Sequence, residues 1–327
     1  MTTRIADVTS DDDVAVAAFC DVYARSQDDR WDVPWTTHEK RVRIAASTTS
    51  PYERELRVLA LDDADVPVGW GLVHLPDADN TTTAYVDLGV VPERRREHHG
   101  TALVEALLDR ARDHGRRTAM SSAGWPVGET GSVARRFLEG HGFAVGLVEA
   151  QRVLTLPVRL DDVDPTGGYE LASWTGACPS AWVEQYAVLL GAMVAEAPAG
   201  DMEWEPEVYD AARVRHDEAE LAEMGRTQVT TVAVAPDGTL AGHTQIIVPS
   251  ADLRRVFQWD TLVLPAHRGH RLGLAMKVRN LAAAEPAIGP RTELHTWNAE
   301  VNGPMIDVNA AMGFVHVRQM GEMQRRL

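Results

Sequence analysis

The stretch from Asp260 to Gly273 holds the most concentrated chemistry in this 327-residue chain. An apolar run, Leu262-Val263-Leu264, leads into a turn carrying Gly269 and then Gly273 at the start of a predicted helix. The same turn holds His267, Arg268, His270 and Arg271. A helix N-terminus presents unpaired N–H groups and about half a positive elementary charge. Glycines let that backbone approach a ligand closely. The combination makes an anion site suited to phosphate; the competing reading is a helix start with surface arginines. No Gly-Lys-Ser/Thr follows, so this is not a P-loop, and the three-glycine dinucleotide fingerprint is also missing.

Amides cluster downstream. Asn298 ends a predicted strand, Asn302 opens the next helix, and Asn309 lies seven residues further on the same helix face. Taken singly, each reads as a turn or cap residue. Three amides converging beside a phosphate turn read better as ligand contacts. The acidic run around Glu203, Trp204 and Glu205 could attract a cationic amine through charge and cation–π contact, the alternative being a solvated acidic loop. Trp31 and Trp35 read as pocket walls or, more simply, as core or loop anchors. Of twelve histidines only His267 and His270 approach ligand spacing, so no metal is expected.

These groups have to be placed by a fold, and the chain repeats itself. At a shift of 173 residues, LALDDADVPVGWGLV from Leu59 falls on VAVAPDGTLAGHTQI from Val232 without a gap. At the same shift Asp87 meets Asp260, Pro92 meets Pro265, Arg95 meets Arg268 and Gly100 meets Gly273. LEGHGF (Leu138 to Phe143) matches NAAMGF (Asn309 to Phe314) at a shift of 171. Each half predicts a strand (Arg4 to Thr9; Tyr169 to Ser173) and a helix (from near Asp11; Pro179 to Met193). A hairpin and a third long strand follow (Thr82 to Val91; Arg255 to Leu264), then a helix (Gly100 to Gly115; Gly273 to Glu285). Another strand (Arg117 to Ser122; Arg291 to Trp297), a second helix and two closing strands complete each half. The Pro- and Gly-containing segment LDDVDPTGGY reads as a linker, dividing the chain into residues 1–161 and 162–327. Mixed strands with helices predict an α/β fold in both halves.

Composition narrows the partners. The net charge is −16, with 19 basic against 25 acidic side chains in residues 1–160 and 13 against 23 in the remainder. Such a chain is poorly suited to nucleic-acid phosphates. No apolar run approaches the roughly 18 residues of a membrane span. Cys20 and Cys178 are the only cysteines, so no disulfide framework is expected and the cytoplasm is the default compartment.

Strand, Val-x-Pro, Arg-x-x-Gly-x-Gly, helix, and a later Gly-Phe resemble the GNAT acetyltransferase superfamily, in both halves. The resemblance implies two tandem GNAT-like domains, each a mixed, mostly antiparallel sheet flanked by helices. It implies acetyl-CoA as cosubstrate, with backbone groups of Leu262, Val263 and Leu264 offered to pantetheine. Arg268, Gly269, His270, Arg271, Leu272, Gly273 and Leu274 would hold the pyrophosphate, with Asn298 and Asn302 contacting the same molecule. The family's first motif glycine is Arg271 in one copy and His98 in the other. Its frequent glutamate falls on Phe257 and Ala84, and its tyrosine acid on Asn309 and Leu138. Asn309 therefore stands in the acid's place, although an amide cannot give up a proton near neutral pH. Asp260 is the base candidate and Gln258 the nearest other polar group. The resemblance thus implies transfer of acetyl to a small, cationic amine by the second half, with a degenerate first half and a homodimer as an open alternative. A non-catalytic acyl-CoA-binding regulatory protein is the competing class.

Overall fold

The structure, a computed structural model, describes residues 2–27 and 35–327. Trp31 lies outside the described residues. The first half runs β1 (Arg4–Val8), α1 (Asp13–Ser26), α2 (Thr37–Ala46), β2 (Glu53–Leu61), β3 (Pro67–Pro76), β4 (Thr83–Val90), α3 (His99–Asp113), β5 (Thr118–Pro126), α4 (Val133–Gly140) and β6 (Ala144–Thr155). The second runs β7 (Glu170–Thr175), α5 (Val183–Gly191), α6 (Met193–Glu196), α7 (Ala211–Glu223), β8 (Arg226–Val234), β9 (Leu240–Pro249), β10 (Arg255–Val263), α8 (Leu272–Ile288), β11 (Glu293–Ala299), α9 (Gly303–Met312) and β12 (Val315–Arg326).

Local chemistry sets many of these boundaries. The Asp12 carboxylate accepts from the Val14 and Ala15 N–H groups to start α1. Thr36 and Glu39 form a reciprocal capping box on α2. The acidic turn after β8 closes on Asp237, which accepts from Thr239. The helix expected over Pro179 to Met193 starts at Val183 and breaks at Ala192, leaving the one-turn α6. Helices α2 and α7, one in each half, are additions that the repeat arithmetic did not reveal.

The twelve strands of the described residues join one sheet, in the order β1-β2-β3-β4-β5-β12-β6-β11-β10-β9-β8-β7. The halves therefore exchange their closing strands. β12 lies between β5 and β6, and β6 lies between β12 and β11. The expectation of two closing strands per half is corrected: each half ends in a single strand of 12 residues. The register slip between the β12 and β6 pairings, near Gly146, is a bulge rather than a turn, so the run stays one strand. The position a second strand would fill is taken by the other half.

Charged contacts tie the halves together as well. Arg43 on α2 bonds Glu220 on α7 at 2.8 Å, and the buried pair Arg226–Glu39 joins β8 to α2 at 2.7 Å. Helix α3 packs on one face of the first half's strands, its Leu103 and Leu107 lying against Gly69 and Gly71. Helix α1 covers the opposite face, where Phe19 and Tyr23 meet Trp70 edge-on. Trp35 is half-buried against this core, as an anchor.

Candidate functional site

β10 meets β11 in parallel over three pairs only, from Arg255↔Glu293 to Phe257↔His295. Beyond them the strands diverge and leave a wedge. On the other edge of β10, pairing with β9 slips between Gln258 and Thr261. A bulge rotates the strand and re-aims its side chains. Past those pairs β10 has no strand neighbour on the side facing β11 among the described residues, and the Val263 carbonyl accepts from Arg268. Leu262 is buried, and the Leu264 N–H already donates to Ala241. The first half opens in the same way after Tyr85↔Met120, but β4 keeps an unbroken register with β3 and has no bulge.

At the end of β10, a 3-10 turn over Pro265–His267 leads into α8. Gly269 takes φ +85° and Arg271, the N-cap, takes φ +61°. Arg96 and His98 reach the same left-handed conformation at +71° and +67°. The glycines missing from the motif are therefore replaced without changing the backbone path, at a cost of roughly 1–2 kcal/mol each. No side chain caps α8, so its first-turn N–H groups stay available.

The two arginines of the second turn differ in what they do. Arg268 folds back, donating to the Val263 carbonyl at 3.1 Å and to Glu196 at 2.6 Å. Arg95 folds back on Val90 and Ser26 in the same manner. Arg268 is thus a brace for the turn, while Arg271 is exposed and lies at the helix start. His267 is held by the Tyr169 hydroxyl at 2.8 Å, and the Thr166 N–H bonds the His270 carbonyl. The linker thereby fastens the turn. Leu272 is buried and Leu274 packs against the core of the second half.

The entrances differ between the halves. A Cβ placed on Gly273 would lie 3.8 Å from Val308, whereas one on Gly100 would lie 3.3 Å from the Phe137 ring. The first turn also carries Glu97, bonded to Arg94. A bulky ring and a carboxylate make it the poorer anion site.

Two of the three asparagines converge. The Asn309 amide donates to the Asn298 carbonyl oxygen at 3.0 Å, and Arg152 of the exchanged strand β6 donates to the same oxygen at 2.7 Å. Asn302 instead caps α9, accepting from the Met305 N–H at 3.3 Å. Lys277 completes the network by donating to Asn309 at 2.6 Å. Sequence reasoning missed Lys277 and Arg152. The signal for Lys277 was present, because the repeat sets a lysine opposite the core residue Val104.

Asp260 follows the bulge and is half-buried. Burial pushes its carboxyl up to about 6. Its charge reaches the Tyr186 phenol and Glu207, so it faces α5 and the acidic segment. Gln258 is buried and bonds Thr244 and the Gln245 carbonyl within the sheet. It braces the bulge.

The acidic segment lies across the first half's wedge. Glu203 is paired with Arg326 and accepts from Thr118, and the Glu205 backbone is held by Asn80. Trp204 packs into a cluster with Met120, Leu147 and Tyr85. These three candidates are therefore engaged in docking the segment. Past it, Glu207 and Tyr209 line a cavity of about 360 Å³ with Asp79 and Tyr85.

Two further carboxylates stand on the exchanged strands. Glu149 and Glu322 are 173 positions apart, the period of the repeat. They lie on one face of the β6–β12 pair, since Glu322 is opposite Leu147 and Glu149 opposite Met320. Burial raises both, and Glu149 helps push Glu322 up to about 7. Glu149 is opposite Ala299 beside the second wedge, and Glu322 is opposite Ser122 beside the first. Each wedge thus receives a carboxylate from the other half.

Residues 20–143 match the sequence profile of the acetyltransferase (GNAT) family. No curated protein sequence shows a significant match. Among solved structures, a tandem GNAT protein from the clavulanic acid biosynthesis pathway, solved without acetyl-CoA, is similar with a TM-score of 0.81 at 24% identity, covering 99% of this chain and 98% of that one. A GCN5-related N-acetyltransferase from Sphaerobacter thermophilus gives a TM-score of 0.68 at 13% identity, covering 99% and 95%. At these identities the structural likeness speaks for the fold.

Proposed function

The chain carries an acetyltransferase (GNAT) family domain and has the fold of a tandem GNAT protein, and from that premise we propose that its second half transfers acetyl from acetyl-CoA to a small cationic amine. The observation that carries the reading is the coincidence at one wedge of a bulged strand, an uncapped helix start, a buried amide pair and a half-buried carboxylate. The first half keeps only its wedge and turn, with Val104 and Leu138 in place of Lys277 and Asn309. Residues 1–161 and 162–327 are the two units of this proposal.

The residues present fit an acyl-CoA. The α8 N-terminus and Arg271 would hold the diphosphate, and the open edge of β10 from Leu262 would pair with pantetheine. Acetyl-CoA supplies an activated thioester. Backbone N–H groups on that open edge polarise its carbonyl. Asp260 accepts the proton of the attacking ammonium or amine, its pKa near 6 leaving it ionised at neutral pH. Following thiol release from acetyl-CoA across a panel of amines tests the reaction. Tight acetyl-CoA binding without turnover on any amine would favour a regulatory acyl-CoA binder instead.

Arg271→Glu places a carboxylate at the helix start. Acetyl-CoA binding should weaken by about tenfold to a hundredfold, measured by calorimetry, while Arg96→Glu leaves it unchanged. The reverse ranking would assign binding to the first half.

Glu149 and Glu322 support a cationic acceptor, because two carboxylates on one face, without an ion-pair partner among the described residues, favour a positive guest. Glu149→Gln with Glu322→Gln should raise KM for a cationic amine by about tenfold, with a smaller change for a neutral amine. Equal effects on both amines would remove the electrostatic role.

A further inference from the structure

We propose that Lys277 is the general acid that protonates the departing coenzyme A thiolate in the second half. The inference rests on the acyl-transfer reading above. Lys277 lies one helical turn after Gly273 on α8, the helix whose start forms the anion site. It is 1% exposed, yet among the described residues its ammonium has no carboxylate partner. Its contacts are the Asn309 carbonyl oxygen at 2.6 Å and the Phe314 ring at 5.2 Å. Asn309 is itself fully buried and is bonded to Asn298, on the part of β11 past its last pair with β10. The ammonium therefore sits one amide away from the wedge.

A buried cation without an anion is expensive, and proteins rarely keep one unless a partner arrives. The wedge is where such an anion would form. Burial alone pushes Lys277 down to about 7, so near neutrality it can both carry and release a proton. Arg152 of β6 reaches the same network, donating to the Asn298 oxygen at 2.7 Å, and adds a second cation without an ion-pair partner among the described residues; the other charged groups of the surrounding elements point elsewhere. On α8 itself Arg279 and Glu285 are exposed, and on α9 Asp307 is exposed. Asp260 of β10 faces α5, as does His243 of β9, which packs on Tyr186. His295 of β11 is on the face of Phe257 and Gln151. Arg226 of β8 is paired with Glu39, and Glu170 begins β7 at the far edge of the sheet.

The chemistry balances without another reagent. The amine nitrogen bonds to the thioester carbon and the carbon–sulfur bond breaks, its electron pair staying on sulfur. Lys277 Nζ gives one proton to sulfur and becomes neutral, while Asp260 takes the proton lost by the amine. Lys277 then regains a proton from solvent as the thiol leaves. In this arrangement Asn309 orients the ammonium, which explains an amide at the acid's place. The first half has Val104 and Leu138 here and cannot perform the step.

The test uses the full chain, free coenzyme A and acetyl-CoA. Titrating the ultraviolet thiolate absorbance of bound coenzyme A should show the thiol ionising at least about one pH unit lower than in solution. Lys277→Met should restore the solution value and lower kcat by about a hundredfold or more, with acetyl-CoA affinity little changed. Lys277→Arg should keep the lowered thiol value yet remain slow, because a guanidinium does not release its proton. A thiol that ionises alike in wild type and Lys277→Met overturns the role of Lys277 and leaves acyl transfer standing. Failure of the wild type to bind coenzyme A at all would overturn the acyl-transfer reading itself.

Discussion

Asp260→Asn should lower kcat by about 10²- to 10⁴-fold while making the protein more stable at pH 8. The wild-type rate should rise with pH through about 6, as the Asp260 carboxyl ionises, and the variant should lack that limb. The stability change has a definite sign. The folded pKa of about 6 lies above the ordinary 3.8, so the native state binds more protons between those values. Wild-type stability contributed by this group is therefore present below pH 4 and lost as pH rises through 6. The asparagine avoids that loss. With partial exposure allowed for, the gain at pH 8 is on the order of 1 kcal/mol, and it should vanish near pH 4. Steady-state rates and thermal melts at the two pH values check both parts. A rate loss below about tenfold would move the base to Glu149, which borders the same wedge. Together with Lys277 near 7, an ionised Asp260 and a protonated lysine coexist best between about pH 6 and 7.

Residues 1–161 and 162–327, expressed apart, should each fail to give a cooperative unfolding transition. Expressed together, they should assemble. Both neighbours of β12, namely β5 and β6, come from the first half, and both neighbours of β6, namely β12 and β11, come from the second. Each isolated half would hold a 12-residue strand with no native neighbour of its own. Unpaired strand edges aggregate, and the loss is comparable to the whole folding free energy, about 5–15 kcal/mol. The isolated second half would also lose Arg152 from its amide network and Glu39 opposite Arg226. Circular dichroism melts and solubility of the separate and joined halves decide the matter. A second half that melts cooperatively and binds acetyl-CoA alone would show that β12 can find another partner.

The two predictions separate what the amino-acid order carried from what it did not. The turn from Pro265 to Gly273 was legible because its chemistry is local: glycines, arginines and a helix start act within a few residues. The duplication was legible because a shift of 173 brings Asp87, Pro92, Arg95 and Gly100 onto their counterparts. Asp260 was legible as the polar group nearest the wedge, but its elevated pKa was not, since burial depends on α5 and the acidic segment. The docking of the segment around Trp204 was not legible, because its acidic composition says nothing about Arg326, Thr118 and Asn80, which hold it.

Sequence by itself determined the fold class, the repeat, the glycine- and arginine-bearing turn before α8 and the half in which the amides lie. Tertiary structure alone decided that β6 and β12 change places, that Lys277 is buried beside Asn309, and that Glu149 and Glu322 meet at the centre of the sheet. The reason is range. A strand's alternation fixes which residues share a face but not which strand will be its neighbour. A lysine's identity likewise does not reveal whether an anion waits within reach.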